Sequence, residues 1–111
     1  MKTKLLIALF TLGLLVGCSE MNHHPMDMSQ AVQSATSKAD HEALAKHYED
    51  TAKELQLKAD EHKKLLSQYQ AKSYLYGKQA QGIENHCDVL IHAYEKAAEA
   101  NLEMAKLHRQ M

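Results

Sequence analysis

The chain has 111 residues, with 13 Lys and Arg against 14 Asp and Glu and a formal charge of −1 when its eight histidines are neutral. That length suits one small domain, and the lack of a basic excess excludes the electrostatic footprint of a nucleic-acid binder. Of the two cysteines, Cys18 sits in an N-terminal motif with a separate use, so Cys87 has no partner for an internal disulfide.

The first element is a leader for export. Lys2 and Lys4 precede an almost unbroken apolar run from Leu5 to Val16, the layout of a secretory signal peptide. A membrane span needs about 20 apolar residues, and Gly17, Cys18, Ser19 and Glu20 end this run too early. Leu15-Val16-Gly17-Cys18 resembles the lipobox of bacterial lipoproteins. The resemblance implies cleavage after residue 17, a diacylglyceryl thioether on Cys18, and acylation of its new amine with a chain such as palmitate. More than one acyl chain gives stable attachment where a single one is marginal. Ser19 stands where lipoproteins of enteric bacteria carry Asp as an inner-membrane retention signal, so the resemblance further implies the outer membrane, facing the periplasm. Removing residues 1–17 takes the basic count from 13 to 11 against 14 acidic groups, a formal charge of −3.

Residues 18–36 read as a lipidated N-terminus and flexible tether, polar and without a helical apolar period. Met21, His23, His24, Met26 and Met28 lie close together in it. Thioethers suit Cu(I) and imidazoles suit copper more generally, which makes these five the candidate metal ligands of the chain. The run His24-Pro25-Met26-Asp27-Met28-Ser29 resembles segments of periplasmic copper-resistance proteins rich in Met, Asp and His, although it occurs once here and is often repeated there. A polar linker of the same composition with no metal is the alternative.

From Ser37 the composition turns to Ala, Leu, Lys, Glu and Gln, strong helix formers, and Ser37 with Asp40 has capping-box spacing. A helix is predicted over 38–75. Gly77 and Gly82 bracket a break, and a second helix is predicted over 83–110. The expected fold is all-α: two long antiparallel helices forming an alanine-seamed hairpin over 37–111.

An internal repeat supports this. A shift of 46 positions superposes Leu44 on Leu90, Tyr48 on Tyr94, Glu49 on Glu95, Ala52 on Ala98, Ala59 on Ala105 and His62 on His108. Each helix then presents one row of small residues (Ala45, Ala52, Ala59; Ile91, Ala98, Ala105) and one of larger ones (His41, Tyr48, Leu55, His62; Cys87, Tyr94, Asn101, His108). Alanine every seventh residue lets two helices approach to the short end of the usual spacing of about 8–10 Å. If the chain folds back at Lys78, residues whose numbers sum to 156 lie level. That sets His62 opposite Tyr94 and Tyr48 opposite His108, and two buried His–Tyr hydrogen bonds are expected, since an unmade buried hydrogen bond costs about 1–3 kcal/mol.

The same histidines make a poor metal site, because His62 and His108 fall roughly 21 Å apart along the coil at about 1.5 Å per residue. His47, His86 and His92 lie beside the seam, and Cys87 reads as a small core residue. Leu44, Leu65, Val89, Leu90 and Leu107 flank the seam on a face that the second helix cannot cover; dimerisation to a four-helix bundle is expected. The hairpin resembles a small family of exported bacterial helical proteins of unassigned function, which implies a fold and no activity. Murein-type lipoproteins are a looser likeness, being single lipid-anchored helices that end in lysine. The expected function is that of a non-enzymatic, membrane-anchored, periplasm-facing lipoprotein whose hairpin serves a structural or protein-binding role, possession of no cofactor included. The alternative is a copper-binding or metal-buffering envelope lipoprotein that uses the tether.

Overall fold

The computed structural model describes residues 26–111. These fold as a short helix α1 (Met28–Ser34), a long helix α2 (Lys38–Ala71), two 3₁₀ turns (Ser73–Leu75 and Gly77–Gln79) and a second long helix α3 (Ala80–Arg109). At about 1.5 Å per residue, α2 and α3 are rods roughly 50 and 45 Å long, and they pack against each other as an all-α hairpin.

The start of α2 is set by its first four residues. Ser37 Oγ accepts from the Asp40 N–H at 3.1 Å, while Asp40 Oδ2 accepts from the N–H groups of Ser37 at 2.9 Å and Thr36 at 3.0 Å. The reciprocal capping box is complete. The Thr36 N–H, followed by the Ser37 groups, holds the Asp40 carboxyl below its ordinary pKa. A depressed carboxylate pKa stabilises the fold above the ordinary carboxylate range, and that contribution is lost as acid protonates Asp40.

The helix ends at Ala71, four residues short of the predicted boundary. The Lys72 N–H closes the last turn onto Gln68 and Tyr69 carbonyls, each at 3.2 Å, and residues 73–75 tighten into 3₁₀ geometry. Gly77 has φ +51°, a left-handed conformation that glycine adopts without a Cβ clash. Tyr76 beside it packs edge-on against Tyr69, with ring centroids 5.3 Å apart, so the turn is tied back to α2. Gly82 is no break: it lies in the first turn of α3, which starts three residues before the predicted boundary.

The core between the helices is the small-residue seam. Ala45, Ala52 and Ala59 on α2 and Cys87, Ile91, Ala98 and Ala105 on α3 are all buried. Leu44 is the exception to the expected open flank: it is buried, 1% exposed, and is the largest fully buried side chain of the described residues. The leader also departs from a plain tether. Residues 28–34 are helical, Asp27 Oδ1 caps them by accepting from the Gln30 N–H at 3.2 Å, and α1 packs on α2 with Met28 and Ala31 half-buried. This helix is a third element that a two-helix reading omits, and it stands at the same end of the hairpin as Leu44.

Candidate functional site

The polar side chains of the seam gather as rings between the helices. His62 on α2 stacks on Tyr94 of α3, with centroids 5.4 Å apart and planes 23° from parallel. At the open end, Tyr48 stacks on His108 at 5.6 Å and 11°, and His41 stacks on the same His108 at 5.5 Å and 24°. All five rings are half-buried, so Tyr48, His62, Tyr94 and His108, expected to be buried, keep one edge open to solvent.

The level pairs are those that a sum of 156 predicts, yet their chemistry differs. The rings are nearly parallel, and stacking takes the place of the expected His–Tyr hydrogen bonds. His62 Nδ1 is enclosed and makes no hydrogen bond. The imidazole of His108 instead meets His41, Nδ1 to Nδ1 at 3.2 Å, a contact that needs one ring to donate and the other to accept.

His62→Phe is therefore expected to raise stability, since phenylalanine keeps the stack on Tyr94 and removes a nitrogen whose unmade hydrogen bond costs about 1–3 kcal/mol. Thermal unfolding checks this. A lower melting temperature for the Phe variant would mean that the nitrogen contributes to the fold.

Beside the open-end rings lies an ionic fork. Arg109 reaches across from α3 to Glu42, at 3.1 Å, and to both carboxylate oxygens of Glu49. Further along, Lys63 pairs with Glu95 at 2.5 Å. The Arg109 hydrogen bond lowers the Glu49 pKa and the Glu49 carboxylate, then Glu42, raises that of Arg109. The Glu95 hydrogen bond raises that of Lys63. Glu42, Lys63 and Arg109 are exposed and Glu49 and Glu95 half-buried, and single ion pairs in such positions contribute little; each of these pairs joins the two helices. The signal for them is present in the chain, because Glu42, Glu49, Lys63, Glu95 and Arg109 each follow a seam residue by one position. The His41–His108 contact does not follow from the register, since 41 and 108 sum to 149 and not 156; His108 reaches it by lying between Tyr48 and His41.

Cys87 is a buried free thiol, placed in the seam. His47 is half-buried, with its ring edge-on to Tyr48 at 5.8 Å, while His86 and His92 are exposed. His92 lies 3.7 Å from Asp88 and 3.9 Å from Glu95.

Of the candidate metal ligands, Met21, His23 and His24 lie outside the described residues, as does Cys18. Met26 is exposed, and Met28 opens α1 half-buried. Among the described residues no three His, Cys, Asp or Glu side chains are grouped to hold a metal ion, and no described helix is long and apolar enough to cross a membrane. Comparisons with protein-family models, with curated proteins and with solved structures return no match.

Proposed function

We propose that the chain is a lipid-anchored protein of the bacterial envelope, in which residues 1–17 direct export and are removed, Cys18 carries the lipid, and the hairpin is held at the periplasmic face of the outer membrane. Its role is structural or protein-binding and non-enzymatic. The observation that carries this reading is Leu15-Val16-Gly17-Cys18 directly behind a basic and then apolar N-terminus. The form of the hairpin supports it: the seam is lined by alanines that bring the helices together, and the polar rings along it are occupied with one another.

Cys18→Ser is expected to abolish both processing and membrane attachment, because the lipid is carried on that sulfur. Cell fractionation with a size assay checks this, and a substituted protein still in the membrane fraction at the processed size would sink the reading.

A second reading is copper binding by the leader, favoured by the exposure of the Met26 thioether at the root of α1. Replacing Met21, His23, His24, Met26 and Met28 together by Ser should then abolish Cu(I) binding in a competition titration while leaving the hairpin's melting transition in place. Copper affinity unchanged by these replacements would exclude the leader as the site.

A further inference from the structure

The two flanks of the hairpin differ in kind. Residues one position after each seam residue form the ion-paired flank, where Arg109 meets Glu42 and Glu49 and Lys63 meets Glu95. Residues one position before each seam residue lie on the opposite flank, since successive helical residues are about 100° apart. On α3 that row is Leu90, Ala93, Ala97, Ala100, Met104 and Leu107, spaced alternately by three and four residues as in a coiled-coil seam. Most of it is open: Leu90 is 40%, Met104 39% and Leu107 50% exposed, Ala93 and Ala100 are exposed, and Ala97 is half-buried. The matching α2 row has Thr51, Glu54, Lys58 and Glu61 at its centre and cannot continue an apolar face.

We propose that this α3 row is a second seam, through which two copies of the chain pair antiparallel about a two-fold axis at Ala100. The row is complementary to itself in that sense. Residues whose numbers sum to 200 or 201 lie level across the axis, so Ala100 meets its own copy, Ala97 meets Met104 and Ala93 meets Leu107. Each large side chain of these pairs faces a methyl group. Charge supports the register on either side of the axis: on the outer edge of the row Lys96 lies level with Glu103 of the copy, and Glu103 with its Lys96, at a sum of 199, two opposite-charge pairs that flank the one like-charge approach, Glu99 to its own copy at 198. A parallel pairing would instead set Met104 on Met104 and Ala97 on Ala97, wedging one end open. The occupant is therefore a second copy, and the assembly is a four-helix arrangement with α3 and its copy at the centre and each α2 outside. It does not depend on the lipid anchor, because the row and its charges are the same whether or not Cys18 is modified.

The test is thiol cross-linking of the full chain in a Cys87→Ala background, with that parent as the control for Cys18. Ala100→Cys should give a homodimer band, and Lys53→Cys on the ion-paired flank should give none. Ala93→Cys mixed with Leu107→Cys should cross-link, while neither should do so alone. Adding Lys96→Glu to Ala100→Cys should lose the band, and adding Glu103→Lys to that variant should restore it. The proposal is overturned if Ala100→Cys gives no more dimer than Lys53→Cys, if Ala93→Cys cross-links to itself, as parallel pairing requires, or if the adduct contains a different protein. Failure here leaves the membrane attachment of the wild-type chain untouched, so it is distinguishable from failure of the anchored reading.

Discussion

Ala59→Leu is expected to lower the stability of the hairpin by about 1–3 kcal/mol, the usual range for overpacking a filled core, which for a domain of this size is a fall of roughly 4–8 °C in melting temperature per kcal/mol. Ala59 is 0% exposed, and the register set by the His62–Tyr94 stack places it level with Ala98 on the facing helix. Three added carbons have no space to occupy unless the helices separate, and separation would also pull apart the ring stack less than one turn away. Ala43→Leu is the control, since Ala43 is exposed on α2 and a surface change of this sort stays within about 0.5 kcal/mol. Equal melting temperatures for the two variants would mean that the seam does not run through Ala59.

Leu44→Ala should cost about 2–5 kcal/mol, the range for truncating a buried leucine to alanine. Leu44 flanks the seam at the end of α2 that follows α1, and it is 1% exposed in a fold where α1 touches α2. The loss should therefore reach α1. Amide hydrogen exchange over residues 28–34 is expected to speed up in Leu44→Ala and not in Leu57→Ala, whose side chain is 68% exposed. Unchanged exchange over α1 would separate the burial of Leu44 from the docking of that helix.

The seam is the part of the fold most legible in the amino-acid order, because a small residue every seventh position has one structural use in a paired helix and the 46-residue repeat places it twice. The same periodicity brings His62 to Tyr94 and Tyr48 to His108. It does not decide how those rings meet. Register says which side chains lie level and not how they are turned; the rings meet nearly parallel, with centroids 5.4 and 5.6 Å apart, and the hydrogen bonds inferred from pairing alone are replaced by stacks and by the His41–His108 contact. Helix α1 is not legible because seven residues carry too short an apolar pattern, and Pro25 with the Met/His-rich run makes the leader read as a linker. Gly82 reads as a break from its own propensity, yet it is held helical by the long element that follows. Of the candidate metal ligands only Met26 and Met28 fall in the described residues, so for the leader the reading still rests on residue type and spacing.

The most direct test of the anchored hairpin is the intact mass of the native protein extracted from membranes. The expected species begins at Cys18, lacks residues 1–17, and carries the added mass of a diacylglyceryl group and an amide-linked acyl chain, with both lost from the peptide when Cys18→Ser is expressed in its place. A chain recovered from the membrane that starts at Met1, or one that starts after residue 17 with no lipid on Cys18, would contradict it.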